Sequence, residues 1–85
     1  MNTNKIKQKL VNIFKNDIIE VIDTNGMNDH FSIFVISDKF LNMSLIDRHK
    51  LIYKLFEKEL TNEIHALQIK THTKEEWHKD KKFND

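Results

Sequence analysis

Apolar residues near the start of the chain recur at the spacing of one helix face. They are Ile6, Leu10, Ile13 and Phe14. Lysine and amide side chains fill most of the remaining positions of this segment. Asn2 or Thr3 can cap it, because their side-chain oxygens accept backbone N–H groups at helix starts. The pattern therefore predicts an amphipathic first helix over residues 3–14.

Two short segments rich in β-branched and aromatic residues follow, at 18–22 and 31–36. This composition is typical of strands. The turn between them contains Asn25 and Gly26, a dipeptide that strongly favours a hairpin, and Gly26 is the only glycine in the chain. The second segment is apolar on both faces except at Ser32, so we predict that it is the central strand of a sheet.

The longest amphipathic stretch is residues 44–61, which follow an irregular link over 38–43. Its predicted apolar stripe consists of Leu45, His49, Ile52, Tyr53, Phe56 and Leu60. Ser44 and Asp47 resemble a capping box at its start. The pattern predicts one continuous helix with this stripe on the sheet. Arg48 and Lys50 then point away from the stripe, where they could meet an acidic or phosphate-bearing partner.

The last part of the chain predicts a third strand over 65–71 and a short C-terminal helix. Thr73 and Glu76 have the spacing of a capping box at the start of that helix. Trp77 is expected to lie over the sheet as part of the core, in keeping with its size and low polarity. Residues 83–85 are expected to form a frayed tail.

This order of elements predicts a single α+β domain that spans all 85 residues. The first two strands form a hairpin and are antiparallel, whereas the second and third are joined across a helix, which favours a parallel pair. The result is a three-stranded mixed sheet covered by helices on one face. The predicted core consists of Leu10, Phe14, Ile33, Val35, Ile52, Phe56, Leu67, Ile69 and Trp77.

The composition limits the possible chemistry. There are 14 basic and 13 acidic residues, so the net charge of +1 provides no general field for binding nucleic acid. The chain has no cysteine, which excludes disulfides and fits a reducing compartment. No apolar run approaches the roughly 20 residues that cross a membrane. No catalytic motif is present, so we expect a protein that is not an enzyme.

Histidine is the residue type best suited to hold a borderline metal in this chain. From the residues alone, His65 is either a metal ligand or a junction histidine that bonds a carbonyl group. Strand alternation would place it on the side of Leu67 and Ile69. His49 is expected to be partly buried on the long helix. His72 and His78 are isolated, and we expect no ligand role for them.

Three blocks of the sequence resemble the BolA family. Residues 29–40, which contain Asp-His-Phe and Val-Ile-Ser-Asp-Lys-Phe, are similar to its HF…VVS..F block. Residues 48–50, Arg-His-Lys, resemble its RHR or RHK triplet. Residues 63–71, which contain Ile-His-Ala-Leu, resemble the block that carries a metal-binding histidine. The blocks occur in family order and at family spacing between residues 18 and 77.

The resemblance implies a class II K-homology-like fold and a non-enzymatic adaptor in iron–sulfur assembly, iron–sulfur trafficking or iron sensing. In this family the histidine at the position of His65 ligates a 2Fe–2S cluster shared with a monothiol glutaredoxin and glutathione. A second family ligand comes from the loop between the first two strands. That loop offers only His30 here, at a position closer to the family's strand-start histidine, so its ligand role stays open.

The resemblance also carries an alternative, since bacterial BolA proteins act in transcription. K-homology domains hold the nucleic-acid backbone with a Gly-x-x-Gly loop, whereas residues 40–43 contain no glycine. We therefore favour the adaptor, as a monomer when alone, folded without metal and located in the cytoplasm or also the nucleus. The lysine-rich start also resembles a mitochondrial presequence, but its role as a core helix makes a mitochondrial location less favoured.

Overall fold

The structure, a computed structural model, contains one three-stranded sheet. Helices lie before, between and after its strands. It describes the backbone of residues 1–84 and the side chains of residues 1–79. The helices are α1 (Thr3–Val11), α2 (Leu45–Leu55), α3 (Glu57–Leu60) and α4 (Lys74–Asn84), with a 3₁₀ turn at Asp38–Phe40. The strands are β1 (Ile18–Asp23), β2 (His30–Ile36) and β3 (Ala66–His72).

The strand order is β1-β2-β3, with β2 in the centre. β1 pairs antiparallel with β2, and β3 pairs parallel with β2. In this register Ile33 lies beside Val21 on one neighbour and Ile69 on the other. The predicted mixed sheet and the central position of the second strand are therefore confirmed.

The core lies between one face of the sheet and the inner faces of α1 and α2. Alternate residues of the strands supply one side of it, as expected from the two-residue period of a strand. Eight of the nine predicted core residues are buried: Leu10, Phe14, Ile33, Val35, Ile52, Phe56, Leu67 and Ile69. Burial of these side chains is the main stabilising contribution in a domain of this size.

The ninth predicted core residue, Trp77, lies on the opposite face of the sheet. It is half-buried, and its ring centroid is 5.1 Å from that of Phe34 and 5.5 Å from that of His72. Phe34 alternates with the buried Ile33 and Val35, so it faces away from the core. The predictions that Trp77 joins the core and that helices cover only one face are therefore wrong. A tryptophan's size predicts burial, but it does not specify the face.

The predicted long helix is divided at Phe56, whose backbone angles are φ −116° and ψ 19°. α2 ends at Leu55, and the single turn of α3 follows. Lys9 of α1 donates to the Leu55 carbonyl at 3.3 Å and forms an ion pair with Glu59. The Leu55 carbonyl at the end of α2 thereby has a hydrogen-bond donor, and Phe56 remains fully buried. The prediction of one continuous helix was therefore wrong.

The buried stripe of α2 also has a different phase from the predicted one. Leu45 is 63% exposed and Tyr53 is exposed as well, whereas Arg48 is only 5% exposed. The Arg48 guanidinium lies 5.6 Å from the centroid of the Phe40 ring, and Nε donates to the Met43 carbonyl at 3.1 Å. The expectation that Arg48 points away from the stripe was wrong, because its stem packs in the interior and its charge is paired there. Lys50 is exposed.

The capping box predicted for the last helix is confirmed. The Thr73 backbone N–H donates to Glu76 Oε1 at 2.8 Å, and the Glu76 N–H donates to Thr73 Oγ1 at 3.2 Å. α4 continues to Asn84, so it includes residues 83 and 84 of the expected frayed tail. Asp85 lies outside the described residues. Within residues 1–84, no helix has the length and apolarity required to cross a membrane.

Candidate metal centre

The loop between β1 and β2 meets the start of β3 at one edge of the sheet. Parallel strands start at the same edge, and here His30 pairs with Ala66 as their first residues. The backbone N–H groups of His65 and Ala66 both donate to the Asp29 carbonyl, at 2.8 and 3.2 Å. The residues before the two strands are thereby held side by side, and His65 lies next to the Asp29–His30 pair.

The side chain of Asp23 holds the loop that delivers Asp29 and His30. Its carboxylate accepts the backbone N–H groups of Gly26 at 2.8 Å and Asn28 at 3.1 Å. Gly26 has φ +75° and Asn28 has φ 59°, which are left-handed conformations that glycine and asparagine adopt most readily. The predicted turn is therefore present, and it folds back onto the end of the sheet.

One carboxylate stands between two imidazoles at this edge. His30 Nδ1 lies 2.8 Å from Asp29 Oδ1, and His65 Nδ1 lies 3.3 Å from Asp29 Oδ2. The two rings are nearly perpendicular, at 84°, with centroids 6.0 Å apart. The His30 and His65 side chains are 42% and 64% exposed, and that of Asp29 is 23% exposed. Both imidazoles are therefore accessible from solvent.

Hydrogen bonding lowers the pKa of Asp29 below its ordinary value. The bond with His30 is the largest cause, and a bond from Asn25 Nδ2 to Oδ1 at 2.9 Å is the next. The nearby charges of His30 and His65, when protonated, act in the same direction. Asp29 is therefore an ionised acceptor at neutral pH, and it gives the site a negative charge that favours a bound cation.

The structure brings together the two histidines that the sequence indicated and adds a residue that it did not. Candidate ligand atoms of Asp29, His30 and His65 all lie within 4.8 Å of one another. Asp29 was not predicted, although its position beside His30 could have drawn attention to it. His65 precedes β3 and is exposed, so the strand-alternation argument that put it beside Leu67 and Ile69 was wrong.

The other histidines do not belong to this group among the described residues. His49 is half-buried on α2, as expected, and His78 is exposed on α4. His72 is half-buried against the aromatic rings of Phe34 and Trp77. The arrangement therefore concentrates the metal-binding capacity of the described side chains at the edge where β2 and β3 start.

The donor set fits the histidine side of an iron–sulfur cluster. Imidazole is a good ligand for iron, zinc and copper, and two histidines can replace two cysteines on one iron of a 2Fe–2S centre. The chain has no cysteine, so it supplies no thiolate ligand for the other iron of such a cluster. An exposed pair of imidazoles without sulfur is consistent with a site completed at an interface.

The fold and the site define a small α+β domain that presents two histidines at one edge of a mixed sheet. Residues 6–76 match the model of the BolA family, described as BolA-like protein. The chain belongs to the BolA family.

Individual proteins and solved structures agree with this assignment. The DNA-binding transcriptional regulator BolA of Escherichia coli is 32% identical over 80 residues, covering 86% of this chain and 76% of the relative. BolA1 from Arabidopsis thaliana superposes with a TM-score of 0.81 at 28% identity, covering 89% of this chain and 96% of that one. The BolA domain of SufE1 from the same plant has a TM-score of 0.78 at 35% identity, with coverages of 87% and 93%.

Proposed function

We propose that this protein is a non-enzymatic adaptor that holds a 2Fe–2S cluster jointly with a monothiol glutaredoxin and glutathione. It would act in iron–sulfur assembly, iron–sulfur trafficking or iron sensing. The observation that carries the proposal is the convergence of His30 and His65 on one carboxylate, with both rings exposed at the edge of the sheet. The family resemblance supplies the identity of the cluster and of the partner.

The two histidines have different parts in this proposal. His65 is the more exposed ring, and it lies in the Ile-His-Ala-Leu block that carries the ligand in the family. His30 is the second ligand, since the structure brings its ring to the same edge. The partner's cysteine and glutathione would complete the thiolate side.

Lys50 is the candidate for a polar contact with the partner, because its side chain is exposed. Arg48 does not share that role, since its guanidinium is buried and paired with Glu76.

The direct test combines the isolated protein with a monothiol glutaredoxin, glutathione, ferrous iron and a sulfide source under anaerobic conditions. We expect a visible absorption and circular dichroism spectrum that differs from that of glutaredoxin with glutathione alone. A His30→Ala, His65→Ala double variant is the matched control, and it should give only the spectrum of the glutaredoxin. If the wild type also leaves the glutaredoxin spectrum unchanged, the proposal is wrong.

A second candidate function is nucleic-acid binding, because the E. coli relative is named a DNA-binding transcriptional regulator. Against it, the net charge is +1, and the loop at residues 40–43 has Asn42 rather than glycine in a left-handed conformation, at φ 64°. A DNA complex would have an affinity that falls steeply with salt. Tight, salt-dependent binding by the isolated protein would favour this function over the adaptor.

A further inference from the structure

We infer that Asp29 is a positioning residue that orients both imidazoles of the metal centre. Its carboxylate accepts the Nδ1–H group of His30 on one oxygen, and its other oxygen lies 3.3 Å from Nδ1 of His65, within ion-pair distance. Both contacts engage Nδ1, which leaves Nε2 of each ring free to face the metal. The inference rests on the proposed function for the identity of that metal. The ring tautomers that it specifies are a property of the isolated protein, so they can be measured without metal or partner.

The contact between His30 and Asp29 is a hydrogen bond rather than a pair of metal ligands. Bonds of about 2.0–2.1 Å at tetrahedral angles separate two ligand atoms by roughly 3.3 Å. The 2.8 Å between His30 Nδ1 and Asp29 Oδ1 is shorter than that and is typical of a charge-assisted hydrogen bond. Because an ionised carboxylate can only accept, the proton must be on Nδ1.

The amide of Asn25 supports this assignment. Its Oδ1 accepts the backbone N–H of Met27 at 3.0 Å, which directs Nδ2 towards Asp29 Oδ1 and His30 Nδ1, each at 2.9 Å. If Asn25 donated to an unprotonated Nδ1, that lone pair would face the Asp29 carboxylate at 2.8 Å without a proton between them. The repulsion disfavours that tautomer, so both Asn25 and His30 donate to Asp29 Oδ1.

His65 uses the remaining oxygen of the same carboxylate. Its Nδ1 lies 3.3 Å from Asp29 Oδ2, and its backbone N–H donates to the Asp29 carbonyl at 2.8 Å. Asp29 therefore bonds the backbone of His65 and places its second carboxylate oxygen within ion-pair distance of the His65 ring. Such carboxylate–histidine contacts fix the tautomer of a metal-binding imidazole and raise its basicity. Here one carboxylate would orient two ligands at once.

The test measures the imidazole tautomers of uniformly ¹⁵N-labelled isolated protein by long-range ¹H–¹⁵N correlation, at a pH above the ordinary histidine pKa of about 6.5. We expect Nδ1–H and a bare Nε2 for both His30 and His65 in the wild type. In Asp29→Asn the amide keeps one acceptor oxygen and gains a donor, so at least one of the two rings should change to the Nε2–H tautomer. The exposed His78 serves as an internal reference.

Glu63→Gln is the matched control, since it removes one negative charge from an exposed side chain two positions from His65. It should leave both tautomers unchanged. The inference is overturned if the wild-type rings carry their protons on Nε2, or if Asp29→Asn changes neither ring. The backbone bonds to the Asp29 carbonyl do not depend on the side chain, and backbone amide shifts will verify that the loop is retained.

The cluster-bound complex provides a second readout. In the complex with glutaredoxin and glutathione, Asp29→Asn should shorten the cluster lifetime about 10-fold relative to the wild type, the lower end of the usual effect of losing such a contact. Glu63→Gln should not change it. An unchanged lifetime in Asp29→Asn overturns the positioning role. If the wild type forms no cluster, the proposed function fails, whereas the tautomers still decide the orientation of the rings.

Discussion

Arg48 donates one hydrogen bond to each carboxylate oxygen of Glu76, at 2.7 and 3.1 Å. The guanidinium side chain is only 6% exposed, whereas that of Glu76 is 45% exposed. Glu76 also accepts the Thr73 backbone N–H. A single carboxylate thus ties α2 to α4 and caps α4. The Arg48 bond is the largest cause that lowers the pKa of Glu76 to about 2, and the Thr73 bond is the next.

The first prediction concerns the pH dependence of this pair. Because the pKa of Glu76 falls from 4.5 to about 2 on folding, its stabilisation is present above pH 4.5 and is lost as the pH falls towards about 2. Glu76→Gln should lower the free energy of unfolding by roughly 1–2 kcal/mol near neutral pH, a figure reduced for the solvent exposure of the carboxylate. Urea denaturation should show that the difference in the free energy of unfolding between wild type and variant shrinks as the pH falls from 4.5 towards about 2.

Glu75→Gln is the control for that measurement. Glu75 pairs with Lys79 on an exposed surface, where an ion pair contributes little. Its substitution should change stability by less than about 0.5 kcal/mol. An effect of Glu76→Gln that is the same at all pH values would show that the titration of Glu76 is not linked to folding.

The second prediction concerns the core at the junction of α2 and α3. Phe56→Ala should lower the free energy of unfolding by roughly 3–5 kcal/mol, because it removes a fully buried aromatic ring and leaves a cavity. Leu45→Ala, at an exposed position of α2, should cost less than about 0.5 kcal/mol. A loss under about 1 kcal/mol for Phe56→Ala, measured by chemical denaturation, would contradict the packing of this ring.

The third prediction separates the two histidines. His65→Ala should leave the fold intact and destabilise the shared cluster, while His30→Ala should have a smaller effect, since His65 carries the family's ligand block and the more exposed ring. The measurement is the visible circular dichroism and the lifetime of the cluster in the glutaredoxin complex, with His78→Ala as the control. If His30→Ala alone abolishes the signal, the ranking of the two residues must be reversed.

The fourth prediction is that the isolated protein folds without metal. The buried cluster of side chains from α1, α2 and all three strands is separate from the candidate metal centre, whose histidines are exposed. Treatment with a strong chelator should therefore leave the midpoint and cooperativity of thermal unfolding unchanged. Loss of the cooperative transition after chelation would show that a metal contributes to folding.

Several features of the fold could be predicted because they depend on residues close in sequence. The Asn25–Gly26 turn and the Thr73–Glu76 capping box depend on contacts within a few positions of the chain. The apolar faces of β2 placed it in the centre of the sheet. The phase of the α2 stripe could not be predicted in this way. Arg48 can be buried because its charge is paired with Glu76, which lies 28 positions away in the sequence. A charged residue without a visible partner is normally expected at the surface.

The sequence by itself determined the order of the elements, the mixed sheet and the candidate histidines, since periodicity and residue chemistry carry that information. Only the tertiary structure decided that His30 and His65 lie together in one candidate site. Their proximity arises from the parallel pairing of His30 with Ala66, which brings two distant segments to one edge of the sheet. Asp29 acquires its role there for the same reason, because its carboxylate and carbonyl reach His65 only after the strands have paired.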